Sequence, residues 1–353
     1  MIRSGPRLQA ILRSLKPNSA PLHTSAGLAM RAVIYDKTGD SSVLHVGDIP
    51  KPKIGPSDAL VKVDYAGVNF IDVYFRTGLY ATEFPAITGR EGAGVIEELG
   101  PDVPSSYNLK VGDRVAMYSQ NVMAEYAAPA ASKLMKLPDG VSNRDGAALI
   151  LQGLTAWTLV RDAHEVKPGD VVLVHAAAGG TGGLIVQMAK HLGATVIGTA
   201  STPEKIEIAK RHGADHVINY SNQKVLDEVM KLTDGKGCHA VFSGIGKATF
   251  DDDLECVGRK GTMITFGNSS GAIEGFRPLA LGKKNVKLLR PRLDVYVSER
   301  EDWEQRSSEL LDLVAKGVVK LDIGKEYKME EVPQAHDDLA GRKSTGKLIV
   351  KIS

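Results

Sequence analysis

Cysteine is almost absent from this 353-residue chain: only Cys238 and Cys256 occur. Two cysteines support neither a disulfide framework nor a four-ligand structural zinc site, and nothing else argues for secretion. No run of about 18 apolar residues exists, which excludes a membrane-spanning helix. Aromatics are only 5% of residues and form no basic, aromatic-rich run of the kind that binds nucleic acid. Low-complexity stretches and solenoid-type repeats are missing too. What is present is 43% hydrophobic residues against 24% charged, and that balance excludes disorder, collagen and coiled coil. The length suggests two domains at ~150 residues each, with chain enough to bury a core.

Positive charge is concentrated at one end. The first 29 residues hold Arg3, Arg7, Arg13 and Lys16 with four serines and no acid; four of the 44 basic residues are thus in this tail, and from Met30 onward 40 basic residues face 42 acidic ones. Wound as a helix at about 100° per residue, Leu8, Ile11, Leu12 and Leu15 share one side while the basic residues spread over the other. This is the pattern of a mitochondrial presequence and predicts a matrix address, with a disordered basic N-terminus as the plainer alternative. Met30 opens directly into a strand-like run and offers a second start, for a cytosolic form.

Short β segments follow. Ala32 to Tyr35, Asp58 to Tyr65, Gly92 to Leu99 and Arg114 to Tyr118, separated by Gly, Pro and Asp, predict a compact β-rich domain over residues 30–150. From 151 to 290 the texture becomes β/α alternation. Val171 to His175, Thr195 to Thr199, His216 to Ile218, His239 to Ser243, Met263 to Phe266 and Val286 to Leu289 read as strands; Leu184 to Leu192, Pro203 to His212 and Gln223 to Leu232 read as helices. Six strands with crossovers predict an α/β fold with a doubly wound parallel sheet of the Rossmann type. Residues 291–353 alternate helix (Asp302 to Ala315), a strand near Lys325, helix (Glu331 to Leu339) and strand (Lys347 to Ile352), and are expected to fold back onto the first domain.

The most informative stretch joins the first sheet strand to its helix: Val-Val-Leu-Val-His-Ala-Ala-Ala followed by Gly179, Gly180, Thr181, Gly182 and Gly183. From Ala177 it reads A-x-G-x-x-G, the dinucleotide fingerprint with alanine in the first glycine place. Gly179 lets backbone approach a pyrophosphate, Gly182 permits close helix–strand packing, and the helix N-terminus offers free N–H groups to an anion. A bare tight turn is the alternative, but the strand before and the helix after supply the context that nucleotide binding requires.

The choice of nucleotide is read about 20 residues later, where an NAD site has an acid. Here the strand ends in Ser201-Thr-Pro-Glu-Lys205 with no acid directly at its end. Ser201 can donate to a 2′-phosphate and Lys205 can neutralise it, so NADPH fits better than NADH.

At this point a family resemblance can be stated. Asn69-Phe-Ile-Asp72-Val-Tyr74-Phe-Arg76-Thr-Gly-Leu-Tyr80, the Gly89-Arg-Glu91-Gly-Ala-Gly94 turn, the glycine loop and Thr265-Phe-Gly-Asn268-Ser-Ser-Gly271 together resemble zeta-crystallin-type quinone oxidoreductases, zinc-free members of the medium-chain dehydrogenase/reductase superfamily. The resemblance runs from about Met30 to the C-terminus. It implies a GroES-like catalytic domain made from the first segment plus the tail, beside the Rossmann domain, with cofactor and substrate in the cleft between them. Where zinc-dependent relatives have a metal-ligating histidine this chain has Arg90, residues 69–72 lack a cysteine, and no cysteine-rich lobe exists. Both cysteines are expected to be small core residues, and no metal site is expected. Without a Lewis acid, a quinone or an α,β-unsaturated carbonyl is a better acceptor than an alcohol is a donor, because conjugation delocalises the incoming charge.

The resemblance also assigns residues. It puts Asn69 and Tyr74 at the nicotinamide and substrate pocket, Tyr74 as a donor to a carbonyl oxygen, with Asp72 and Tyr80 behind them; Asp72 alternatively only organises its loop. Ala177, Gly179, Gly180, Thr181 and Gly182 are implied at the pyrophosphate, Ser201, Lys205 and Tyr220 at the 2′-phosphate, Phe266 and Asn268 at the nicotinamide half, and Arg342 as a further contact from the tail. One departure stands out: Gly244 in Ser243-Gly244-Ile245-Gly246 replaces a serine usual in the family. The implied activity is NADPH-dependent quinone reduction, with alkenal or enone reduction at the same site as the alternative. A homodimer is implied too, and so is RNA binding by some relatives, against which the near-neutral chain after Met30 argues. His164 and His175 lack metal-ligand spacing, Asp251 to Asp253 read as helix-dipole compensation and solvation, and no Gly-x-Ser-x-Gly elbow supports hydrolysis.

Overall fold

The computed structural model describes residues 29–341 and 343–353. The presequence pattern in residues 1–28 and the assignment to Arg342 lie outside the described residues.

The first part of the chain forms strands β1 (Ala29–Tyr35), β2 (His45–Pro50) and β3 (Ala59–Val68), helix α1 (Phe70–Thr77), strands β4 (Ala86–Ile87), β5 (Glu91–Leu99), β6 (Arg114–Tyr118), β7 (Tyr126–Ala127) and β8 (Leu134–Lys136), then helix α2 (Asn143–Thr158). The second part alternates β9 (Val171–Val174), α3 (Gly180–His191), β10 (Thr195–Ala200), α4 (Pro203–Arg211), β11 (His216–Asn219), α5 (Val225–Leu232), β12 (Cys238–Ser243), α6 (Phe250–Cys256), β13 (Val257–Thr265) and β14 (Lys287–Leu289). The tail adds α7 (Leu293–Tyr296), α8 (Arg300–Ala315), β15 (Ile323–Lys328), α9 (Val332–Ala340) and β16 (Lys347–Lys351).

The six-stranded parallel sheet has the order β11-β10-β9-β12-β13-β14. Its central strand, β9, has Val172 paired with Val196 on one side and Ala240 on the other, and all three are fully buried. Continuous Val/Ile/Leu runs rather than alternation are what a sheet covered on both faces requires. The chain winds from β9 outward to β11, then returns to β12 on the other side. The strand order therefore reverses between β9 and β12, and the crevice at their carboxyl ends is where ligands bind in sheets of this topology.

The other large sheet runs β15-β16-β3-β5-β6-β8, with β16 antiparallel to β3. The last strands of the chain thus complete the sheet begun by the first. Within the tail, α8 packs both on α2 and against β8 of the first domain. Leu310 of α8 stands close beside Gly153 of α2, and Trp303 lies in one core with Leu149, Ile150 and Leu154. Trp303 is fully buried and donates its indole N–H to the Leu134 carbonyl (3.1 Å), which satisfies its polar edge. Helix α2 also spans the expected boundary at residue 150, because its apolar residues serve both domains.

Candidate active site and cofactor cleft

A cleft of about 1240 Å³ lies between the two sheets at the β9/β12 reversal. Its floor is the loop after β9. Ala176 adopts a left-handed φ of 50°, a conformation rare for alanine, and its carbonyl accepts the Gly179 N–H (2.8 Å). The turn aims the N-terminus of α3 into the cleft, with Gly179 at its N-cap. A Cβ on Gly182 would stand 2.9 Å from the His175 carbonyl oxygen and closer still to that of Ala176, so only glycine lets helix and strand approach this closely. Unsatisfied N–H groups at a helix start, reached across glycine, fit a pyrophosphate. Gly346, just before β16, forms a parallel bridge to Gly179 and brings the tail to this loop.

Gly179, Gly180, Thr181, Gly182, Ser201, Lys205, Tyr220 and Phe266 all line the cleft. Ala177 does not. Its side chain is fully buried and packs towards Gly198, and it is Ala176 and Ala178 that face the opening, because the turn at Ala176 alternates the chain in and out. At the adenosine end Thr202 caps α4, accepting the Lys205 N–H at 3.2 Å, and this sets Lys205 one turn into the helix. Lys224, unnoticed in the sequence, lines the same end. The Gly244 departure also has a physical reason. A Cβ there would lie 3.0 Å from the Phe266 ring, so the missing side chain is the space that ring occupies.

A buried polar cluster supports the other wall. Asn69 caps α1, and its backbone N–H donates to Asp72 Oδ2 (2.8 Å), while its side-chain Nδ2 donates to Glu91 Oε1 (2.7 Å). Lys347 Nζ donates to Asn69 Oδ1 (2.8 Å) and pairs with Glu91, whose second oxygen accepts the Leu151 N–H of α2 (2.7 Å). Gln152 completes the ring through Asn69 Oδ1 (3.4 Å). Asn69 lines the cleft, yet both ends of its amide are engaged within the protein. Asp72 is buried beneath the lining, with Oδ1 unpartnered among the described residues; burial pushes its pKa up to about 7, against the opposing pull of the Asn69 N–H and the Lys347 charge.

Above this cluster stands an aromatic wall. The Tyr74 hydroxyl accepts the backbone N–H of Asn268 (2.8 Å), and burial raises its pKa, so the phenol keeps its proton. Tyr80 packs edge-on against both Tyr74 (5.4 Å between centroids) and Phe75 (5.6 Å). Asn268, expected at the nicotinamide half, meets Tyr74 through its backbone N–H and is not among the cleft-lining residues. Arg290 donates to the Thr265 carbonyl (2.9 Å) and the Tyr80 hydroxyl (3.4 Å). Between the halves, His175 Nε2 meets Asp253 Oδ1 (2.6 Å) and Asp253 Oδ2 accepts from Thr249 (2.7 Å). Asp253 is therefore no solvated helix-start acid, as the sequence suggested, but a buried partner of His175.

Residues 55–139 match the family model described as alcohol dehydrogenase GroES-like domain, and residues 180–313 the one described as zinc-binding dehydrogenase. A quinone oxidoreductase of Pseudomonas aeruginosa is 38% identical over 317 residues, covering 88% of this chain and 96% of that protein. The chain belongs to the quinone oxidoreductase family. The crystal structure of another member of the family, the Escherichia coli quinone oxidoreductase complexed with NADPH, has a TM-score of 0.87 at 34% identity, across 91% of this chain and 99% of that one. The 2-haloacrylate reductase of a Burkholderia species is 38% identical over 339 residues, covering 92% of this chain and 99% of that protein.

One of those family descriptions implies zinc. Among the described residues of this quinone oxidoreductase family member no three His, Cys, Asp or Glu side chains stand together so as to hold a metal ion. Cys238 and Cys256 are buried in the sheet core, and burial raises both thiols, Cys238 to about 12. The donor set does not fit the metal. Sequence reasoning missed Glu91 as a functional support, Lys347, Arg290 and the His175–Asp253 pair. The available signal was Glu91 itself, a carboxylate opening an otherwise small and apolar strand start; its partners come from positions 60 and 256 residues away.

Proposed function

We propose that this chain reduces quinones with NADPH. The observation that carries this reading is one cleft with two chemically distinct ends. A glycine loop, a helix N-terminus, Ser201 and Lys205 stand at one, and a proton-bearing Tyr74 among aromatic rings stands at the other. When bound, NADPH supplies a hydride equivalent, which with one proton converts a quinone to its hydroquinone and leaves NADP⁺.

The residues divide the remaining work. The α3 N-terminus and Gly179 to Gly182 hold the pyrophosphate, and Ser201, Lys205 and Tyr220 hold the 2′-phosphate. Because the Asn268 N–H occupies a lone pair of Tyr74, the phenolic proton is left to donate to the substrate carbonyl as negative charge builds there. Asn69, with its amide engaged, fixes the start of α1 and so the place of Tyr74, and Asp72 holds Asn69 from below. Enone reduction is the second reading, favoured by the similarity to a 2-haloacrylate reductase, since the same phenol can serve a conjugated carbonyl.

Two finer readings belong here. The basic, acid-free segment of residues 1–29 supports import into mitochondria, and fusing it to a fluorescent protein tests this; diffuse cytosolic fluorescence counts against it. Edge strand β14, whose outer backbone groups have no strand partner among the described residues, supports a homodimer formed across a two-fold axis. Light scattering giving a monomer mass would overturn that.

The deciding experiment is an acceptor screen following nicotinamide absorbance with ortho-quinones, para-quinones, enals and enones. Oxidation of NADPH by quinones is the expected result. Turnover with enals alone replaces this reading with the second, and no turnover with any acceptor defeats both.

A further inference from the structure

We infer that the acceptor half of the cleft recognises a conjugated substrate carrying a carboxylate, and that Arg90 is the residue that reads it. This rests on the reductase reading above and names its substrate class.

Arg90 precedes β5, where its backbone carbonyl accepts the Ser119 N–H (3.2 Å), and its side chain lines the cleft. The guanidinium lies over the faces of Phe75 (5.2 Å to the ring centroid) and Tyr118 (5.8 Å). Ring faces engage the faces of a guanidinium and leave its in-plane N–H donors unused. Nε is buried without a partner, and among the described residues the side chain makes no ion pair or hydrogen bond. Asp72 feels the Arg90 charge but is not paired with it.

The surrounding charges point the same way. Of the other ionic groups at this end of the lining, Arg292 is paired with Asp294, and Arg290 donates to neutral groups, the Thr265 carbonyl and the Tyr80 hydroxyl. Two guanidinium groups thus flank the aromatic wall, and among the described residues no carboxylate pairs with either. A planar fork of donors in a partly desolvated, aromatic setting matches a carboxylate, and the substrate would supply the missing counter-charge. Phe75 and Tyr80 link the Arg90 platform to Tyr74 through edge contacts. A ligand with its carboxylate on Arg90 and its conjugated carbonyl at Tyr74 spans one continuous wall.

The test compares 1,4-naphthoquinone-2-carboxylate with its methyl ester in the full chain, in the wild type and in Arg90→Met and Arg90→Lys. Taking the acid-to-ester ratio of kcat/KM in each protein and comparing ratios between proteins cancels the intrinsic reactivity of the two quinones. In Arg90→Met that ratio is expected to fall about 10- to 100-fold, the worth of a charge-assisted pair. In Arg90→Lys, which keeps the charge and loses the fork, it should fall less. Equal losses on acid and ester, or an unchanged ratio, overturn the inference while leaving quinone reduction standing. Should neither quinone be turned over by the wild type, the acceptor screen above decides the reductase reading separately. The acid's dissociation constant, from tryptophan fluorescence, then decides: weakening by either Arg90 variant supports recognition, and no binding or equal binding overturns it.

Discussion

A buried carboxyl group with one unpartnered oxygen is a place where the folded protein stores a proton, and Asp72 is such a group. Its folded pKa of about 7 lies above the ordinary 3.8, so between these values the folded chain binds more protons than the unfolded one, and stability falls as pH rises. Asp72→Asn keeps the acceptor for the Asn69 N–H and removes the titration. The variant should gain on the wild type between pH 5 and pH 8, by a few kcal/mol at most, since one pKa unit is worth ~1.4 kcal/mol; urea midpoints at both pH values check this. His336 works in the opposite sense: buried without hydrogen-bond partners among the described residues and pushed down to about 3, it costs stability as pH falls below its ordinary 6.5. Tyr74→Phe deletes the proton donor while keeping the ring. It should lower kcat/KM for a quinone about 100-fold and leave the NADPH dissociation constant nearly unchanged. Loss of both in equal measure would make Tyr74 a packing residue. Lys205→Ala should weaken NADPH about 10- to 100-fold and NADH little, read by nicotinamide fluorescence titration.

Turn β9–α3 shows how an element makes a site from backbone alone. The left-handed Ala176, the cap at Gly179 and the absent side chain at Gly182 together aim N–H groups at one point. Gly182→Ala must push helix from strand, because the atoms it meets are carbonyl oxygens with no rotamer to yield. We expect NADPH affinity to fall at least about tenfold, with the far-ultraviolet circular dichroism unchanged, since α3 beyond its first turn is undisturbed. Elements of this kind were legible in the sequence because their signals are local: a β-branched run, glycines at fixed offsets, then helical periodicity. The register inside the loop was not legible. Ala177 occupies the motif position but faces the core, since a single left-handed residue upstream changes which side chain meets the cleft.

Across the whole molecule, the ends of the chain are joined where the chemistry sits. Glu91 gathers Asn69 of the first segment, Leu151 of α2 and Lys347 of the last strand around one buried carboxylate. Lys347→Met leaves that carboxylate without its cation and should cost about 3–5 kcal/mol, read as a drop in urea midpoint; adding Glu91→Gln should recover part of it. If the double variant is no better than the single, the ion pair is not what the site leans on. The sequence by itself determined the two-part α/β architecture, the glycine loop and the preference for a 2′-phosphate, because periodicity, turn chemistry and motif spacing act over a few residues. Only the tertiary structure decided that Asn69 is held by Lys347, that Tyr74 is oriented by the Asn268 backbone, that Asp253 partners His175 and that α8 packs on α2. Those contacts join residues 78 to 278 positions apart, and pairing over such separations is set by how sheets and helices stack, which no local pattern encodes.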